Sequence, residues 1–450
     1  MQIMKCPSIT SSRISNGAIG VAAGWRLHRA VRDVFGRARW TPAYGVILAV
    51  MLFGPAAALA APVKDSCIAC HSQLPGQYGQ PAKLFPQDVH HQAGLSCADC
   101  HGGDRNDDSM NAMSPAKGFR GAPTKAQVPE FCGRCHSDPQ YMRKYNPSLR
   151  TDQMSEYFTS VHGKLLKKGD TKVAVCVDCH SVHDIRAPSD PRAPVYPTHV
   201  AETCARCHAD ANYMKGYKIP TNQYELYKKS VHAADLASGD TSAPTCSTCH
   251  GNHGATPPGV SSVANVCGTC HAMNEQLFDK SPHGAAFAKM GLPGCVQCHS
   301  NHEIVKPTDA WVGTTPKAVC VTCHVKGDNG YKTAAEISAG LAKLKSTYHD
   351  ADQVLNRAEQ SGMEVSSARV ELTSAHSDLI KARVAVHSFN AADVLKITSQ
   401  GVETSRKAYE AGIAALHERN YRRKGLAIAL IAIVIAISGL YLKIRNMERS

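Results

Sequence analysis

Large aromatic side chains are scarce in this chain: 9 Phe and 3 Trp in 450 residues. A conventional core built on Phe and Trp is therefore excluded, and some other bulk must fill the interior. Spare cysteine is almost absent too. Of 19 Cys, only Cys6 lies outside one repeated motif, so a disulfide framework has nothing to draw on. Long uncharged runs that are also strongly apolar are confined to the two ends, within 40–63 and at 425–442. A polytopic membrane protein is thereby excluded.

What is present instead is Cys-x-x-Cys-His, nine times. The copies are Cys67, Cys70, His71; Cys97, Cys100, His101; Cys132, Cys135, His136; Cys176, Cys179, His180; and Cys204, Cys207, His208. The rest are Cys246, Cys249, His250; Cys267, Cys270, His271; Cys295, Cys298, His299; and Cys320, Cys323, His324. This motif attaches c-type haem: two thiols bond the porphyrin vinyl groups and the histidine binds iron from one side. A single copy would equally suit zinc or a dithiol redox pair. Neither alternative demands a histidine at the fifth position nine times over, so nine covalent haems c are expected. About 63–332 then serves nine haems at 30 residues each. An ordinary domain of roughly 100–150 residues cannot be repeated within that length, so the haems must share one core and supply the missing apolar bulk. The expected fold is mostly α and irregular. A haem-packed domain at 62–332 precedes a helical bundle and a C-terminal transmembrane helix.

The formal charge of +13 does not indicate a nucleic-acid partner. Residues 1–62 carry +6 of it, and eighteen haem propionates would take the remainder to about −11 if all ionise. The basic stretch to Arg39, the apolar centre at Val46–Phe53 and the small residues Ala58-Leu59-Ala60 read as a signal peptide over 1–61. An uncleaved N-terminal anchor is the alternative. Either places the following chain outside the cytoplasm. Gly425–Leu442, 18 residues without a charge, is long enough to span a membrane, so 421–450 reads as an anchor with a short cytoplasmic tail. Basic residues flank both of its ends, leaving orientation to the leader.

Between the ends, the chain repeats. The unit is a haem motif, an aromatic segment, Ser-x-His, a second haem motif and x-x-His, at about 132–203, 204–266 and 267–319. Nine further histidines fall in the haem region: His90, His91, His162, His183, His199, His232, His253, His283 and His302. They match the nine sixth ligands that bis-histidine haems would need. His183, His253 and His302 each follow a motif histidine by three residues. On a continuing helix both would leave by one face, so the second should serve a neighbouring haem.

Residues 333–420 lack haem motifs and show helical periodicity: Ile337, Leu341, Leu344, Tyr348, Ala351 and Leu355, then Val365 to Val386. Leu395, Val402, Tyr409 and Leu416 mark a third seam. Breaks at Ser361-Gly362 and around Ser388-Phe389-Asn390 imply a small antiparallel bundle or stalk. Of its histidines, His349, His376 and His417 read as exposed or boundary residues. His387, beside a break, is the one weighed as a haem ligand.

The doubled CxxCH pattern over about 67–324 resembles the multihaem c-type cytochromes of anaerobically respiring and metal-reducing bacteria. The tail, with RRKGL…LYLKIR at 422–445, resembles their membrane-anchored members. The resemblance implies a non-catalytic electron relay at the outer face of the cytoplasmic membrane. Its donor would be a quinol-oxidising membrane cytochrome, and its acceptors periplasmic or outer-membrane cytochromes. Multihaem nitrite and hydroxylamine reductases are cousins. They often carry CxxCK at the catalytic haem, and no CxxCK occurs here. A terminal reductase for nitrite, hydroxylamine or a sulfur oxyanion, with one open haem, is the alternative reading. A filament-forming cytochrome is a third, disfavoured by the membrane helix.

Overall fold

The computed structural model describes residues 65–449, with 255 and 258 excepted. The expected signal peptide, Cys6 and His28 lie outside the described residues. Within them the fold is helical and irregular, with no strand.

The haem-motif region is a string of short helices whose boundaries follow from local chemistry. Each Ser-x-His turns out to be a helix start. Ser160, Ser230 and Ser281 are N-caps whose hydroxyls accept from the N–H groups of Gly163, Ala233 and Gly284. Asp88 plays the same part before His90. All four caps are buried, Asp88 and Ser230 to 1 % exposure, so the histidine two residues on is held in a fixed first turn. The aromatic segment then pins the next motif. Tyr157 donates to Ala174 O (2.8 Å) and Tyr227 to Pro244 O (2.9 Å), each two residues before a motif cysteine.

The second, fourth, sixth and eighth motifs are single helical turns, Cys97–His101, Cys176–His180, Cys246–His250 and Val296–His299. Each stops at a residue of positive φ: Gly102 at 72°, Ser181 at 69°, Gly251 at 77° and Ser300 at 63°. That conformation suits glycine and strains serine. It also corrects the expectation that His180 and His183, and their two counterparts, share a helix face. The helix ends at the motif histidine, and the chain turns away before the trailing one.

Three long helices follow: Asn329–Gln360, Ser366–Ala385 and Ala391–Met447. The first begins at Asn329, four residues before the expected start, because Asp328 caps it through Tyr331 N–H (2.6 Å). They pack as the antiparallel bundle that periodicity implied. Leu341, Leu344, Leu355, Ala375 and Ala382 are at most 1 % exposed, and each buried leucine contributes about 1.5–3 kcal/mol. The third seam is met in part: Leu395, Val402 and Leu416 are half-buried, and Val402 and Leu416 pack on the bundle core, but its most buried residues are others. Val394, Thr398, Gly401, Ser405, Ala408 and Gly412 are buried, whereas Tyr409 is exposed. Small residues win because this helix lies close against the other two. A Cβ on Gly401 would stand 2.8 Å from Leu344, and one on Gly412 2.7 Å from Val354. The third helix runs on without a break through the uncharged stretch, which is apolar (mean hydropathy 2.6) and wholly unburied. It is long and apolar enough to cross a membrane.

Candidate haem-binding site

Histidine rings meet in pairs along the haem-motif region. His90 faces His136 (ring centroids 5.9 Å apart), His101 faces His183 (6.1 Å), and His162 faces His208 (6.0 Å). His180 faces His253 (6.1 Å), His250 faces His302 (6.0 Å), His283 faces His324 (5.9 Å), and His299 faces His387 (6.1 Å). Each pair joins one motif histidine to one histidine from elsewhere. His232 lies beside the motif histidine His271 and feels its charge. A metal–imidazole bond is about 2.0 Å and a ring nitrogen lies about 1.1 Å from its centroid. Two imidazoles sharing one iron therefore have centroids about 6 Å apart, the spacing found.

The pairing follows a rule. Trailing histidines reach back to the even motif before their own: His183 to the second, His253 to the fourth, His302 to the sixth. The Ser-x-His histidines, with His90, reach forward to the odd motifs: third, fifth, seventh and ninth. The cysteines link the motifs in chain order. Cys97 lies beside Cys67, Cys100 beside Cys135, and Cys179 beside Cys207. Cys249 lies beside Cys270 and Cys298 beside Cys320. Cys132 lies near Cys176, Cys204 near Cys246, and Cys267 near Cys295. Each motif thus comes near its predecessor through one cysteine region and near its successor through another.

Paired, not fourfold, histidines suit a porphyrin, which brings four nitrogens of its own. Among the described residues no group of three or more His, Cys, Asp or Glu converges as a bare-ion site, whereas zinc would need about four protein ligands. Residues 89–209 match the family model for cytochrome c3. The chain contains a cytochrome c3-like domain. No curated protein and no solved structure matches the chain. The matched span runs from the first Ser-x-His-like turn past the fifth motif. It supports a multihaem c-type cytochrome with covalently bound haem.

The electrostatics of the haem-motif region suit ligation. Burial, reinforced by the facing imidazole, lowers the pKa of His136, His162, His180, His183, His283, His299 and His302. Burial also lowers that of His208, His250 and His253. The neutral ring that this favours is the metal-binding form. Several rings are also oriented. His71 donates from Nδ1 to Tyr78 O (2.9 Å) and His101 to Gly121 O (3.0 Å). His90 donates from Nδ1 to Asp88 (2.8 Å). Because a carbonyl or carboxylate only accepts, the proton is on Nδ1 and Nε2 is left bare. Burial opposes ionisation of Asp88, yet bonds from His90 and Ile185 hold its carboxyl below the usual range.

Two expected ligands stand apart. His91 is exposed and packs edge-on to Phe85 (5.2 Å). His199 donates from Nδ1 to Ala193 O (3.0 Å) and lies beside Tyr196, in a hollow shared with Glu202, Thr203 and Arg206. Among the described residues neither faces a motif histidine as the paired ones do. Of the two motif histidines outside the ring pairs, His271 has His232 near it, whereas His71 has no such neighbour among the described residues. The repeat accounts for this: no Ser-x-His turn precedes the first motif within the described region.

Proposed function

We propose that this protein is a membrane-anchored nonahaem cytochrome c that relays electrons without chemical catalysis. The observation that carries this reading is the facing histidine pairs at seven of the nine motifs, with the cysteines of successive motifs near one another. Haem supplies one-electron chemistry. The chain's own part is to hold two imidazoles per iron, which leaves no coordination position for a substrate. The cysteines Cys67 to Cys323 hold the porphyrins covalently. His71, His101, His136, His180, His208, His250, His271, His299 and His324 are the proximal ligands. His90, His162, His183, His232, His253, His283 and His302 are distal ligands. His91 and His199 remain the candidates for the first haem.

The haem domain faces the periplasm on this reading, anchored in the cytoplasmic membrane by 425–442. Its donor is a quinol-linked membrane partner and its acceptors are periplasmic or outer-membrane cytochromes, as anaerobic respiration would use them. Mass spectrometry of the purified protein should give nine haems. Low-temperature EPR should give low-spin iron for at least eight. The first motif is where the terminal-reductase reading would hold, since His71 faces no histidine among the described residues. One high-spin haem that responds to nitrite or cyanide would favour it.

A further inference from the structure

The back-reaching rule leaves one iron unserved. His183, His253 and His302 face the second, fourth and sixth motifs, so the eighth would need a trailing histidine from a tenth motif. The chain has nine motifs, and the ninth is followed by Val325, Lys326 and Gly327. The eighth motif histidine, His299, is nevertheless faced. Its partner, His387, comes from the turn Val386–Ser388 between the second and third bundle helices.

The geometry is that of the fourth and sixth motifs. The His299–His387 rings are 6.1 Å apart and inclined by 18°. His180–His253 stand at 6.1 Å and 11°, and His250–His302 at 6.0 Å and 14°. His387 donates from Nδ1 to Val384 O (2.9 Å), which leaves Nε2 bare. Trp311 packs on His299 at 5.6 Å. The same turn braces the neighbouring pair. Phe389, at a φ of 50°, lies 3.9 Å from His283, which faces His324 of the ninth motif. A non-glycine residue in that left-handed region persists only where its surroundings hold it.

We propose that His387 is the sixth ligand of the eighth haem, and that the bundle stands in for a missing tenth haem motif. This rests on the haem reading above. The bundle is then part of the haem site and not a detachable stalk. The ligand and the membrane helix belong to one continuous piece, because Asn390 caps the third helix three residues after His387.

The test is His387→Ala and His387→Met in the full-length holoprotein, with His376→Ala as a bundle control. Haem count comes from intact mass and spin state from EPR. His387→Ala should keep nine haems and turn one of the nine high-spin, with added imidazole restoring it. His387→Met should keep all low-spin and raise the potential of one haem. His376→Ala should do neither. Nine low-spin haems with unchanged potentials in both His387 variants would overturn the assignment. So would a loss spread over several haems that imidazole does not restore, since His387 would then only brace the fold. A wild-type protein with fewer haems would instead count against the nonahaem reading, and its mass would show that before any variant is made.

Discussion

Replacing His253 by Met separates a ligand that serves its own haem from one that serves another. His253 follows the sixth motif, yet its ring stands 6.1 Å from His180 of the fourth at an interplanar angle of 11°. Its backbone N–H is taken by Asn252 Oδ1 (2.7 Å), which fixes the turn that carries it away from His250. Methionine reaches a similar distance and still ligates iron, so the fold should survive. Exchanging His for Met at one axial position raises a haem's potential. The shift should be on the order of 0.1 V or more, a fraction of the roughly 0.8 V that axial ligation spans. It should appear in one ninth of the haem absorbance during a spectroelectrochemical titration. Two haem-deletion backgrounds then locate it. With Cys176 and Cys179 changed to Ser, His253→Met should shift nothing, because the haem it serves is gone. With Cys246 and Cys249 changed to Ser, the shift should persist. The opposite pattern would show that His253 binds its own haem, and the back-reaching rule would fall with it.

Ser300→Gly should stabilise the protein by about 1 kcal/mol: relief of a Gly-type conformation is worth about 1–3 kcal/mol, offset by up to about 1 kcal/mol of glycine entropy. Thermal unfolding reads this, and a fall in midpoint would contradict it. Leu355→Ala, at a site with no exposure and in contact with Ala408, should cost about 2–5 kcal/mol and lower the first helical transition in far-UV circular dichroism. Asp309 ties the haem region to the bundle through Arg383 (2.8 and 2.9 Å) and Lys345 (3.4 Å). The Arg383 bond holds its carboxyl below the usual range despite partial burial. The contribution is therefore present above about pH 4, the ordinary carboxyl value, and is lost as pH falls through the folded one. Asp309→Asn should cost about 0.5–1 kcal/mol at pH 7, given the exposure of Arg383, and progressively less as pH falls below about 4. The 34 residues from Ala391 to Lys424 put the His387 turn about 51 Å along the helix from the uncharged run. Lipid quinol alone should therefore reduce the protein slowly in partner-free liposomes, and fast reduction there would show that a haem lies at the membrane surface.

The cofactor, the three long helices and the membrane-length run were legible in the sequence because each depends on residues close together in the chain. Cys-x-x-Cys-His places thiols and imidazole on one turn, and helical periodicity repeats within a few residues. The Ser-x-His signature was visible too, although its cause, a buried N-cap that fixes the following histidine, appears only once Ser160 and Ser230 are seen inside. The partner of each motif histidine was not legible. His101 and His183, or His299 and His387, are far apart in the chain, and nothing local at either one names the other. Counting nine spare histidines in the haem region took in His199, although it stands outside the repeat, and left His387 as a candidate outside the count. Only the packing of the Val386–Asn390 turn against the last motifs decides otherwise. The third bundle seam was read only in part, for a related reason. Leu395 keeps a half-buried place against Gly340, but Tyr409 is exposed, because close approach to the first helix selects for small size and Gly401, Ser405 and Gly412 are the buried residues.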